Sequence, residues 1–406
     1  MRGGERAVMV DLTRRDPEER PARTPPSHLL ALALLACAPA RLPEGSLLFV
    51  SEAGSGTVAA VDPSSGRVVK RLRVGLLPHE MLPSPDGEAL YVVLVGSQAV
   101  AEVDLATLSV TRTFLTAPVP AHRDDGSVIL PHRDKDAFSH TTCFDCHFPG
   151  PGGARPPYVG DRPFGIALSE DGKSLFVAHV NSGDLAEIER ATGRITRRVH
   201  LAAAGEASEA TALARVGQDL FVALRPRQPS SRPGVIRRLD AATLEPRGDT
   251  PAGSDPVTLL AREETREVLV SNFDSDTVSL VGASGERARF KAAPGPLGLV
   301  ALPDRRQVLA LDYYSNALSL IDLAQGTVTT RPLERAGRPY ANPTEAAVMP
   351  DGRTAFVVTS GTEGHLVRVD LRRLRVLGDT PLNGLSFGIA LAAAKPPRLA
   401  SAGPLP

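Results

Sequence analysis

From Gly45 onward the chain alternates apolar and polar residues in short runs, and the runs recur in a fixed order. Leu47 to Val50 leads through a polar turn to a second run ending at Val61-Asp62. A Ser/Gly turn then opens a third run, Arg67 to Arg73. The same three-part phrase returns at 88–104, 173–189, 218–240, 266–282, 306–322 and 353–370. Period-two alternation bounded by turn residues predicts β-strands throughout. The seven phrases end at 62, 104, 189, 240, 282, 322 and 370, in steps of 42, 85, 51, 42, 40 and 48. Several strands per unit, repeated every forty-odd residues, predict a β-propeller.

A fourth strand precedes each of the last six phrases, often closed by a turn such as Asp86-Gly87, Asp171-Gly172 or Asp351-Gly352. The first phrase lacks one. Phe387-Gly388-Ile389-Ala390-Leu391 repeats Phe164-Gly165-Ile166-Ala167-Leu168 residue for residue. The C-terminal strand is therefore expected to become the inner strand of the first blade, closing the ring and removing a free edge. The expected fold is all-β, a seven-bladed propeller closed by its C-terminal strand. Its phrases resemble the YVTN-type β-propeller repeat over residues 45 to 393. The likeness is nearest at Val268-Leu269-Val270-Ser271-Asn272 through Asp276-Thr277-Val278, and at Leu90-Tyr91-Val92. The resemblance implies the fold and leaves function open, because such rings serve as binding platforms, enzymes and surface modules. With no tryptophan, a WD-repeat reading is excluded.

The step of 85 residues holds about one blade-length of surplus chain, between Thr116 and Asp161. A degenerate eighth blade would account for it. This stretch lacks alternation, however, and carries Pro118, Pro120, Pro131, Pro149, Pro151, Pro156 and Pro157. Proline cannot donate to a sheet ladder, so an irregular insertion between blades 2 and 3 is the better reading. By analogy with the fold, such an insertion opens on the face where the central channel is used for binding. Pro78-His79, Pro163-Phe164, Pro256-Val257, Pro296-Leu297 and Pro343-Thr344 occupy equivalent places there, which puts His79 near the channel mouth. Glu80, Glu209 and Glu345 are expected to be solvated loop acids, with a channel carboxylate role as the alternative.

Charge changes little in this picture. Lys+Arg 46 balances Asp+Glu 46 over 406 residues, so no global field favours nucleic acid or an anionic membrane. The three cysteines, Cys37, Cys143 and Cys146, allow at most one disulfide. Leu29 to Ala40 is an apolar run too short to span a bilayer and suited to a signal h-region. Leu34-Leu35-Ala36-Cys37 resembles a bacterial lipobox, which implies lipidation of Cys37; ordinary cleavage after Ala38-Pro39-Ala40 is the competing reading. The leader before Leu29 is long, so translation starting near Met9 or later fits it better. The expected organisation is a leader at 1–40, the propeller at 41–393 with the insertion at 116–161, and a tail at 394–406. The expected location is outside the cytoplasm, periplasmic or held as a membrane-anchored lipoprotein.

Within the insertion stands Cys143-Phe144-Asp145-Cys146-His147. Two thiols at this spacing can add to the vinyl groups of one haem while the adjacent imidazole ligates its iron, the attachment pattern of haem c. Residues 138–147 are also similar to the short haem-binding segments of multihaem cytochromes c. Two duller readings remain: a zinc site using His140, Cys143, Cys146 and His147, or a disulfide. With His147 as proximal ligand, a sixth ligand is sought at His79, His122 or His132, with Met81 as the alternative. His140 lies too near Cys143 to reach the opposite face of the ring. His179, His200 and His365 fall in or beside strands and read as structural, and 272–276 reads as a turn.

No Ser-His-Asp triad or phosphate loop is visible. The leading expectation is an exported monohaem c-type cytochrome that exchanges electrons with a redox partner protein. A haem-dependent oxidoreductase taking a substrate at the channel mouth is the second, and a non-catalytic binding platform the third.

Overall fold

The computed structural model describes residues 45–117, 161–201, 208–226, 232–361 and 363–393. The expected insertion, including Cys143, Cys146, His147, His122, His132 and His140, lies outside the described residues, as do Cys37 and the tail.

Seven four-stranded antiparallel sheets follow one another along the chain. The inner strands are Pro78–Pro83 in blade 2, Pro163–Leu168 in blade 3 and Ser208–Val216 in blade 4. Pro256–Arg262, Pro296–Ala301 and Pro343–Val348 serve blades 5, 6 and 7. In blade 1 the inner position is taken by Ser386–Ala393, which pairs antiparallel with Ser46–Glu52, setting Phe49 opposite Ala390 and Val50 opposite Ile389. Each inner strand packs beside the next, and the strand of blade 7 packs beside that of blade 1, so the seven surround a central bore.

The period-two pattern sorts each strand by depth. Ala89–Leu94, second in blade 2, is buried at every position, whereas the outer strand Ser109–Leu115 buries only Phe114. Buried side chains gather in layers between neighbouring sheets. Phe49, Val58, Leu90 and Val92 fill the layer between blades 1 and 2, and Tyr91, Val93, Phe114 and Leu175 the layer between blades 2 and 3. Five further layers complete the circuit. Fully burying one such side chain contributes about 1.5–3 kcal/mol, so these layers hold the ring together.

Two local devices aim the inner strands. Leu77, Arg162, Asp255, Gly295 and Asn342, each just before a proline that opens an inner strand, have φ of 52°, 56°, 53°, 75° and 55°. The left-handed residue turns the chain inward, and the proline starts the strand where no ladder donor is required. At the end of the second strand of blade 5, Asn272 Oδ1 accepts from Gly253 N at 2.9 Å, while Nδ2 donates to Ser279 Oγ at 2.9 Å. Glu52 occupies the same place in blade 1 and accepts from Asn383 N at 2.8 Å. Both side chains satisfy backbone donors in the approach to the inner strand of their own sheet.

Candidate functional site

The inner strands all begin on one face, and their first residues line the mouth of the bore. His79, Glu80, Arg162, Phe164, Arg225, Thr344, Glu345 and Phe387 surround about 590 Å³ of open space, the mouth included, with Thr211, Val257 and Leu297 completing the wall. Within that space there is room for only a few water-sized molecules.

Strand spacing at the mouth is set by glycine. A Cβ on Gly388 would lie 2.2 Å from the His79 carbonyl oxygen, and one on Gly298 would lie 2.1 Å from that of Thr344. Neither blade contact could close with a larger residue. Gly388 and Gly165 also mark where a neighbouring carboxyl lands. Glu345 Oε2, from blade 7, accepts from Ile389 N of blade 1 at 3.0 Å. Glu80, from blade 2, accepts from the backbone N–H of Ile166 in blade 3. The duplicated Phe-Gly-Ile-Ala sequence is thus a twofold receiver for a glutamate of the preceding blade.

Both carboxyls are withdrawn from bulk water and open only onto the bore. Burial lifts Glu345 to about 7. Burial and then the charge of Glu345 push Glu80 well above the usual carboxylate range, opposed by the Ile166 bond. Near neutrality the two acids therefore hold a proton that ordinary glutamates would have lost. The expectation of solvated loop acids is corrected here, because Glu80 and Glu345, each the third residue of its inner strand, line the bore. Glu209 departs from it differently: Arg225 Nε donates to Glu209 at 2.7 Å and Nη1 to Asp255 at 2.5 Å, with all three groups buried. Removing that guanidinium would leave two carboxylates buried together.

His79 stands beside Glu80 at the rim. Its ring is stacked on Phe387 at 4.5 Å between centroids and tilted against Phe164 at 4.3 Å. With both faces covered and Nδ1 buried, an approaching ligand can meet the ring only at the rest of its edge. Met81, two residues on, packs instead into the layer between blades 1 and 2 and does not join the mouth. A second aromatic group, Phe273, Tyr313 and Tyr314, stands across the rim, with Tyr314 59% exposed.

The chain leaves the described structure after Ala117 and returns at Asp161, and the two points are fastened together. Gln98 O accepts from Thr116 N at 3.0 Å, and Gln98 Oε1 accepts from Asp161 N at 3.0 Å. Arg198 Nη1 donates to Thr116 O at 3.1 Å and Nη2 to Asp161 Oδ2 at 2.6 Å, while Nε is held by Asp184 Oδ2 at 2.9 Å. The next residue, Arg162, is itself part of the mouth wall. Fully buried His179 backs this neck; burial, then the Arg198 charge, lowers its imidazole to about 4, so it stays neutral at physiological pH. His200 pairs with Asp184 at 2.8 Å and His365 with Asp379 at 2.9 Å, as structural side chains do. Among the described residues no group of three or more His, Cys, Asp or Glu side chains is arranged to hold a metal ion.

Arg162, Arg225 and the Gln98–Arg198 neck escaped sequence reasoning, the last two because they act across a blade boundary. No family model matches the chain. No curated protein matches it either. Among solved structures, hydrazine synthase of Kuenenia stuttgartiensis is 14% identical with a TM-score of 0.57, over 83% of this chain and 92% of that one. NirN, a dihydro-haem d1 dehydrogenase in complex with DHE, is 15% identical with a TM-score of 0.54, over 85% of this chain and 74% of its own. The periplasmic gluconolactonase PpgL of Pseudomonas aeruginosa is 18% identical with a TM-score of 0.62, over 86% and 99%. At such identities the likeness is one of fold, and the chain is an all-β propeller of seven blades.

Proposed function

We propose that this protein is an exported propeller, acylated at Cys37, that carries one covalent haem c on its insertion and exchanges electrons with a redox partner at the channel mouth. In this reading Cys143 and Cys146 form the thioethers and His147 ligates the iron. When bound, the haem supplies one-electron transfer. The observation that carries the reading is the neck: Gln98 and Arg198 fasten Thr116 to Asp161 beside the mouth wall, so the segment bearing the motif departs from and returns to the rim. Two of the solved structures of the same fold are a hydrazine synthase and a dihydro-haem d1 dehydrogenase, which keeps haem chemistry within the fold's range. A third is a periplasmic enzyme, in keeping with export.

The rim residues fit such a group. Phe164 and Phe387 hold the His79 ring at fixed tilt, which suits its edge nitrogen to the sixth position. Phe164, Phe387, Val257 and Leu297 give the mouth an apolar lining beside it. His122 and His132 remain alternatives for that position. The relatedness to YVTN-type repeats belongs to this proposal and adds no function to it.

A second reading has its own observation. The proton-holding pair Glu80 and Glu345 beside His79 could give or take a proton from a substrate at the mouth, as a haem-dependent oxidoreductase requires.

The test is expression with cytochrome c maturation machinery, followed by denaturing electrophoresis and intact mass. Haem should migrate with the chain, and its mass should disappear from Cys143→Ala/Cys146→Ala while the β-sheet circular dichroism remains. A matured wild-type chain without that mass refutes the cofactor and both readings that use it.

A further inference from the structure

Between the outer strand of blade 7 and the strand that closes the ring runs Leu382-Asn383-Gly384-Leu385. Asn383-Gly384 is the one Asn-Gly pair in the sequence. Gly384 has φ of 70°, a left-handed conformation that glycine adopts without strain, and the bend accounts for it. The bend asks nothing of the Asn383 side chain. Asn383 is exposed, and its main-chain N–H donates to Glu52 Oε1 at 2.8 Å. Its side-chain amide makes no hydrogen bond among the described residues.

An asparagine side chain is the right length for the next residue's backbone nitrogen to attack it, closing a five-membered imide. A Cβ on the next residue hinders that attack, and hydrogen bonds that hold the nitrogen or the side chain prevent it. Neither guard is present at 384. A Cβ there would meet nothing within 4 Å, so the approach is open, and Gly384 N donates to no acceptor among the described residues. The aspartate–glycine turns of the ring are built the other way. Gly87 N donates to Ser84 O at 2.9 Å, Gly172 N to Ser169 O at 3.0 Å and Gly352 N to Met349 O at 2.9 Å. The carboxyls of Asp86, Asp171 and Asp351 are held as well, by Glu88 N, Lys173 N and Arg353 N at 2.9, 3.0 and 2.8 Å.

We propose that Asn383 is a site of spontaneous covalent modification whose product slackens the strand that closes the ring. Gly384 N attacks Asn383 Cγ, the bond from Cγ to Nδ2 breaks, and ammonia leaves with the proton from Gly384 N. Water then opens the imide at either carbonyl, giving aspartate or isoaspartate. Water is the only co-reactant, and nothing is oxidised or reduced.

The isoaspartyl form lengthens the main chain by one carbon and leaves a carboxylate on the 383 Cα, one atom from the N–H that Glu52 accepts. Glu52 is wholly buried and already paired with Arg71 at 3.0 Å, so a second negative charge beside it is unfavourable. The connector has little slack to absorb the extra carbon. Leu382 N donates to Gly364 O at 2.9 Å and Gly54 N to Leu385 O at 3.3 Å, and a Cβ on Gly364 would lie 2.3 Å from Gly384 O. Just beyond stand Phe387, on which His79 stacks, and Gly388, which admits the His79 carbonyl.

The full chain is aged in mildly alkaline buffer at physiological temperature and sampled with an isoaspartyl methyltransferase and labelled S-adenosylmethionine. Label should accumulate on the peptide holding residue 383, which exchanges the mass of ammonia for that of water. Asn383→Gln needs a six-membered ring for the same attack; it should lose the label while melting like fresh wild type. Hydrogen exchange over 386–391 should quicken in aged wild type and not in the aged variant. An aged chain without label at 383, when the same chain unfolded in urea is labelled there, would overturn the site. Equal label in Asn383→Gln would place the reaction elsewhere and overturn it too, and label with unchanged exchange would overturn its coupling to the closing strand.

Discussion

Asp312 provides the sharpest test of the energetics. It ends the second strand of blade 6, is wholly buried, and accepts from Ser319 Oγ at 2.6 Å, while its Oδ1 has no hydrogen-bond partner among the described residues. In blade 5 the same place holds Asn272, seven residues before Ser279, as Asp312 is seven before Ser319. Burial lifts Asp312 to about 8 from 3.8. The sign follows from proton counting. Between about pH 4 and 8 the unfolded chain has released this proton and the folded chain has kept it, so stability falls as pH rises through that window. At roughly 1.4 kcal/mol per unit the ceiling is about 5 kcal/mol at pH 8, and about 4 at pH 7. Asp312→Asn has no proton to hold, and its Nδ2 can donate to Ser319 Oγ as Asn272 does to Ser279. The variant should match the wild type near pH 4 and exceed it by several kcal/mol at pH 8. Urea melts of both proteins at intervals from pH 4 to 8 measure this, and the difference between the two slopes cancels every other titrating group. Parallel slopes, or a variant less stable at pH 8, would refute the buried neutral acid.

Other expectations follow from the mouth and the neck. Glu345→Gln should flatten the decline of stability between about pH 4.5 and 7, because the folded carboxyl titrates at about 7; thermal midpoints across that range measure it, and an unchanged profile counts against the buried pair. Arg225→Ala should cost about 3–5 kcal/mol by leaving Glu209 and Asp255 buried without their partner. Denaturant melts report that loss. Gly388→Ala should lower the melting temperature sharply, since its Cβ would lie 2.2 Å from a backbone carbonyl. Arg198→Ala should speed protease cleavage between 117 and 161 while leaving hydrogen exchange of the inner strands slow.

Much of the ring was legible because its information is local and repeated. Alternation at Leu90-Tyr91-Val92 and again at Val268-Leu269-Val270 fixes which faces pack against neighbouring sheets, and a fixed period multiplies that one solution. The identity of 164–168 with 387–391 marked a repeated inner strand, but its chemical reason lay out of reach. Glu345 meets Ile389 across 44 positions of sequence, and Arg225 meets Asp255 across 30. Nothing local distinguishes a glutamate after Pro-Thr that faces a dry bore from one in a wet loop; the ring makes that difference. Met81 shows the converse. Two positions from His79, it sits beyond the register shift between Pro78 and Met81, which sends it into the layer between blades.

The neck also explains how the ring tolerates its insertion. Four of the other six connectors have four residues, as from Arg73 to Pro78 or Lys291 to Pro296, and the remaining two have seven and ten, whereas forty-seven separate Leu115 from Pro163. Lengthening a closed loop costs about 0.6 kcal/mol per doubling, so this twelvefold increase costs only about 2 kcal/mol, provided that the loop's ends are already positioned. The ring meets that condition itself. Gln98 belongs to blade 2 and Arg198 to blade 3, and between them they bind both ends through side chain and main chain. Three or four such bonds, at about 1 kcal/mol each, offset the closure cost without help from the residues enclosed. The energetics of closure therefore place no requirement on the sequence between 117 and 161, where proline and histidine can accumulate without cost to the ring.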